Sequence, residues 1–130
     1  KPFIRAALES LCFAFKANCA QLEEISKFEV RRVSIGGGLT QSKSLVQMLS
    51  DVLGLPVRCF EDPQVTSYGV AMCAAVGAGV YQDLEAASEA MKPKSRLVEP
   101  DPQNAQQYMK YYQRWMHTAG WLENLVEEIG

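Results

Sequence analysis

The chain has 130 residues, 48% of them hydrophobic and 22% charged, a balance that supports a packed core and excludes a disordered segment. Its formal net charge of -2, with basic residues scattered, excludes the electrostatic footprint of a nucleic-acid or membrane-surface binder. Apolar runs stay well short of the roughly 18 residues that cross a membrane, so one domain or part of one is expected.

The chain opens Lys1-Pro2-Phe3, without an initiator Met or a signal-peptide layout, and we expect it to be a piece of a longer protein. Phe3, Ala7, Leu8, Leu11, Cys12, Phe15, Cys19 and Leu22 recur at helical spacing, which predicts a helix over residues 3–24. Residues 26–29 read as a connection, and Val30-Arg31-Arg32-Val33-Ser34-Ile35 as a β-rich strand. Gly36-Gly37-Gly38 follow, then a helix marked by Leu45, Val46, Met48, Leu49, Val52 and Leu53. Gly54 stands where a helix-ending glycine belongs, and Pro56 stops further helix.

Val57–Phe60 reads as a second strand. Residues 64–79, rich in Ser, Gly and Ala, predict a third helix packed closely on something, with Gly69 explained by that packing or by a ligand close to the backbone. A short helix is expected over Asp83–Met91 and an extended stretch over Ser95–Glu99. Asp101 then fits an N-cap and Pro102 a first helical position, with a last helix carrying Tyr108, Tyr111, Tyr112, Trp115 and Met116 and a break at Gly120. The order helix, strand, helix, strand, helix predicts an α/β fold with parallel strands. Two strands make a poor sheet, so further strands are expected from outside this segment.

Cys12, Cys19, Cys59 and Cys73 lack the paired spacing of a zinc site and sit among apolar residues; His117, the one histidine, is remote from them. Buried free thiols are expected, suiting a reducing cytoplasm. Asp62 and Asp83 lack a partner for acid-base work, and Asp51 reads as structural or as part of its helix's polar edge.

Glycines after a strand let the backbone turn through positive φ or pass flush against a ligand. A dinucleotide-binding G-x-G-x-x-G would need glycine at Gln41, and that register fails. The Walker A pattern G-x-x-x-x-G-K-[ST] over Gly37–Ser44 fails at Ser42, leaving Lys43 as an exposed helix residue; a P-loop NTPase fragment stays open as an alternative. A strand-to-helix turn without a ligand is the third possibility.

Gly37, Gly38, Leu39, Ser42, Gln47, Ser50, Asp51, Gly54, Pro56 and Val57, followed by Thr66, Gly69 and Ala71, reproduce a spaced pattern over nearly the whole chain. In that order they resemble the C-terminal half of the FGGY family of carbohydrate kinases. The sequence departs from the family pattern at Leu39, Gln64 and Val70, and the pattern does not name a sugar.

The resemblance implies an actin-like (ribonuclease H-like) ATPase C-terminal subdomain, an incomplete sheet flanked by helices. Residues 1–130 would then be the nucleotide-binding piece of a longer two-domain kinase that phosphorylates a sugar or polyol with ATP and Mg²⁺. It implies that Gly37, Gly38 and Leu39 floor the adenine or ribose, that Ser42 reaches a polar edge of the base, and that Gly36 lets the strand turn. The catalytic carboxylate, the first phosphate loop and the sugar contacts belong to upstream sequence on that reading. A non-catalytic actin-like domain is the other alternative. With its apolar stripes uncovered, the isolated segment is expected to be a homo-oligomer without kinase activity.

Overall fold

The amphipathic spacing over the first residues produces α1 (Pro2–Ser26), which turns off at Lys27, a left-handed residue with φ 60° whose N–H donates to Glu23 O. The computed structural model describes residues 2–62 and 64–129. The chain continues through β1 (Val33–Ile35), a 3-10 turn (Gly38–Gln41), α2 (Lys43–Leu53) and β2 (Val57–Phe60). It then forms α3 (Val65–Gly77), α4 (Leu84–Ala90), β3 (Ser95–Val98) and α5 (Pro102–Ile129). Gly54, at φ 70°, closes α2 with its N–H on Ser50 O, as the glycine and the following Pro56 predict.

α2 is the central element, because its apolar residues wrap far enough round the cylinder to face two sides. Leu45 and Val52 pack with Cys12 and Phe13 of α1 and Tyr108 of α5. Val46 and Leu53 pack on Val33, Val57 and Cys59 of the sheet. Each large apolar side chain buried this way contributes roughly 1.5–3 kcal/mol. Phe13 anchors the α1–α5 contact, edge-on to Tyr108 at 6.3 Å and tilted against Tyr112 and Trp115. Lys16 of α1 reaches the open end of α2 and donates to the carbonyls of Val52 at 2.6 Å and Leu53 at 3.4 Å, where a cation also meets the negative end of the helix dipole.

The sheet departs from the two parallel strands expected. β1 and β2 are parallel, with Val33 opposite Val57 and Ile35 opposite Cys59. The extended stretch at Ser95–Val98 is a third strand, antiparallel to β2, with Val57 opposite Val98 and Phe60 opposite Ser95, giving the order β1-β2-β3. The first strand is also shorter than its composition predicts, because Val30–Arg32 lie outside the ladder. Glu23 holds that lead-in by accepting the Val30 N–H at 2.7 Å.

Three expectations about packing are corrected. α3 buries none of its side chains, and its principal neighbour is α4. Its small residues therefore do not mark a close approach among the described residues, and a Cβ on Gly69 would meet open space. Of the thiols, Cys12 and Cys59 are buried, Cys19 is half-buried and Cys73, on α3, is exposed. α5 continues through Gly120 without a break. The helix punctuation holds: Asp83 Oδ1 accepts from the Ala86 N–H, and Asp101 Oδ1 accepts from Gln103 and Asn104. None of the helices among the described residues is long and apolar enough to cross a membrane.

Candidate functional site

The three glycines leave β1 with three different jobs. Gly36 is needed for space, since a Cβ there would collide with Cγ2 of Val65 at the start of α3. Gly37 is needed for conformation: at φ 96°, ψ -173° it occupies a region essentially closed to residues with a Cβ. Gly38 begins the 3-10 turn, and a Cβ there would find no heavy atom within 4 Å. The first two thus build the turn, while Gly38 offers a bare, open backbone surface.

The turn is held from its inner side by Thr40, which is only 4% exposed. Its hydroxyl donates to Gly37 O at 2.7 Å and its backbone N–H to the same oxygen at 3.1 Å. Its own carbonyl lies 3.8 Å from the Cys59 thiol of β2, which is also 3.7 Å from Phe60 O. Ser42 then starts α2, its N–H on Leu39 O and its Oγ accepting the Leu45 N–H at 3.3 Å. Capping uses a Ser42 lone pair and leaves the hydroxyl proton free to donate outward.

The structure thus brings Gly36, Gly37, Gly38, Leu39 and Ser42 together on one turn. Leu39 and Ser42 are exposed at its rim. Gly36 and Leu39 also line an apolar cleft of about 290 Å³ between α1 and α2, walled by Leu11, Phe15, Leu45 and Leu49. The Cys12 thiol at the cleft is pushed up to about 11, mainly by burial and secondarily by Glu9.

The other positions of the spaced pattern serve a different purpose. Asp51, 3% exposed, accepts from Gln47 Nε2 at 2.9 Å and the Asp101 N–H at 2.8 Å on Oδ1, and from Asn104 Nδ2 at 3.1 Å on Oδ2. Gln47 also donates to Glu99 O at 3.0 Å, and Ser50 Oγ lies 2.9 Å from Leu55 O and 3.0 Å from Val98 O. Together they clamp α2 to β3 and to the start of α5. Asp51 is structural, as the sequence suggests, but buried rather than on a polar edge. Asp62 accepts the Gln64 N–H and Asp83 caps α4, so neither carboxylate is poised over the turn. Among the described residues no three His, Cys, Asp or Glu converge as a metal site. Lys43 is exposed at the start of α2.

Thr40 and Cys59 were not singled out by the sequence. The available signal was a hydroxyl residue three positions after a positive-φ glycine, the spacing at which Ser and Thr bond back to a carbonyl.

Comparison with known proteins places this geometry in context. Residues 1–78 match the C-terminal domain of the FGGY family of carbohydrate kinases. The chain is 34% identical over 111 residues to the autoinducer-2 kinase of Enterobacter sp. (strain 638), covering 85% of this chain and 21% of that protein. It is 30% identical over 127 residues to the L-xylulose/3-keto-L-gulonate kinase of Escherichia coli (strain K12), covering 97% and 25%. The crystal structure of xylulose kinase from Rhodospirillum rubrum superposes with a TM-score of 0.76 at 26% identity, covering 93% of this chain and 24% of that one. The chain therefore spans only about a fifth to a quarter of the length of the relatives it matches. The α/β fold is that of the sugar kinases, in line with an actin-like C-terminal subdomain.

Proposed function

The chain belongs to the FGGY family of carbohydrate kinases, and we propose that it is the adenosine-binding piece of a longer two-domain enzyme. That enzyme would transfer a phosphoryl group from ATP to a hydroxyl of a sugar or polyol. The relatives are named for different substrates, so the proposal stops at that substrate class.

The observation that carries the reading is the turn itself. Gly37 adopts a glycine-only conformation, and Gly38 next to it presents backbone with nothing within 4 Å of an added Cβ. A flat base or ribose needs such close, unobstructed approach. On this reading Gly37, Gly38 and Leu39 floor the adenine or ribose, and Ser42 donates its free hydroxyl proton to a polar edge of the base. Gly36 lets the strand turn and leaves room for Val65 beside it. Phosphoryl transfer asks mainly for positioning and charge stabilisation, with Mg²⁺ across the phosphates. This segment is read for nucleotide positioning, and we derive no step through the ion. A P-loop reading is disfavoured, because Ser42 caps α2 and Lys43 points to solvent.

Self-association of the isolated segment belongs to the same proposal. Ile4, Leu11, Phe15, Leu22 and Ile25 form an exposed apolar stripe along α1, and burying it against another copy is favourable. Sedimentation at rising concentration checks this, and a persistent monomer would refute it. The free cysteines suit a reducing cytoplasm.

Gly38→Val in the intact kinase tests the site. A side chain on the open face should raise the KM for ATP about tenfold or more, equivalent to the loss of roughly 1.4 kcal/mol of binding, while the KM for the sugar stays put. Equal changes in both constants, or no change, would make the turn merely structural.

A further inference from the structure

We infer that Thr40 is a positioning residue for nucleotide binding, a role that rests on the reading of the glycine turn as the adenosine site. Three consecutive glycines have no side chains with which to hold their own shape, and glycine is the residue with most conformational freedom to lose. Some other group has to select one conformation of Gly36–Gly38 from the many open to it.

Thr40 is placed to do this. Two of its donors converge on one oxygen: the hydroxyl at 2.7 Å and the backbone N–H at 3.1 Å both meet Gly37 O. The peptide bonds described are all trans, and a peptide unit is planar, so fixing the Gly37 carbonyl fixes the whole Gly37–Gly38 plane. That plane carries the open backbone at Gly38. The backbone N–H alone would pin the oxygen at one point; the second donor, from a side chain 4% exposed, resists rotation about it. Thr40 also lies against β2, its carbonyl 3.8 Å from the Cys59 thiol, which faces Phe60 O at 3.7 Å as well. Thr40 therefore sets the Gly37–Gly38 peptide, and that peptide presents the surface for the base. Thr40 itself touches no substrate on this account.

The test is made in the intact kinase with Thr40→Val, which keeps the branched shape and removes the hydroxyl donor, alongside Thr40→Ser, which keeps the donor, and Gly38→Val. Thr40→Val is expected to raise the KM for ATP roughly three- to tenfold, the scale of one net hydrogen bond. Turnover at saturating ATP and the KM for the sugar should be unchanged, and Thr40→Ser should behave as the parent. Thr40→Ala carries the same readout if the valine variant does not fold.

If Gly38→Val impairs ATP binding and Thr40→Val does not, the positioning role is overturned while the adenosine site stands. If neither variant changes the KM for ATP, both readings fall. Loss of stability with equal effects on both substrates, or failure of Thr40→Ser to restore ATP affinity, would also overturn the role of the hydroxyl.

Discussion

The carboxylate of Asp51, buried in the last turn of α2, accepts the backbone N–H of Asp101 at 2.8 Å across a separation of 50 residues. Asp101 in turn caps α5, so the start of α5 is registered on the last turn of α2. Asp51→Ala would strand the Asp101 N–H and free Gln47 and Asn104 from their shared acceptor. We expect a loss of about 3 kcal/mol, the scale of buried bonds to a charged group. Urea denaturation of the intact kinase, read as a shift in the midpoint of the transition involving this domain, measures it. The KM for ATP in the folded variant should remain near that of the parent; a selective loss of ATP affinity would place Asp51 in the site instead.

Gly36 and Val65 are coupled sterically, because a Cβ on the glycine would occupy the space of a valine methyl. Val65 is β-branched and stiff, so relief requires movement at the start of α3. Gly36→Ala should destabilise the domain by about 1–3 kcal/mol, the usual cost of overpacking. Val65→Ala should suppress most of that loss. A double-mutant cycle gives the answer: additive effects would mean that Gly36 is required for some reason other than Val65.

Lys43 follows the glycine turn at a position where a phosphate-binding lysine could be imagined, yet its side chain is exposed on the first turn of α2. Lys43→Ala should leave turnover of the intact kinase within a few-fold of the parent. A drop on the order of a thousand-fold, the scale of a key charge contact in phosphoryl transfer, would revive the P-loop alternative.

The thiols are predicted to separate by burial. In the isolated segment Cys73 should be alkylated readily, and Cys12 and Cys59 only as the chain unfolds. Cys12 also imposes a pH dependence. Its folded-state pKa is raised to about 11, so the folded chain keeps a proton that the unfolded chain releases in the ordinary thiol range. The associated stability is complete below that range and is lost as pH rises toward about 11. Denaturation midpoints measured across this interval should fall less steeply for Cys12→Ala than for the parent. Identical slopes would show that the thiol does not titrate as its burial implies.

The sequence by itself determined the helices and the place of the turn. Helical spacing of apolar residues, Gly54 before Pro56, and Asp101 before Pro102 are signals confined to a few neighbouring residues, and the local physics of capping and φ restriction reads them directly. The glycines after β1 were legible for the same reason, since a positive-φ position such as Gly37 imposes its demand on one residue. Tertiary structure decided the rest. β3 has alternating, half-exposed residues without a buried run, so only its pairing with β2, across α3 and α4, makes it part of the sheet. The grip of Thr40 on Gly37 depends on a side-chain rotamer, and its contact with Cys59 joins residues 19 apart. The close packing expected of α3 from its small residues is likewise a property of whatever lies against it, and the described residues leave that helix uncovered. Small side chains permit close approach, but they do not specify what approaches.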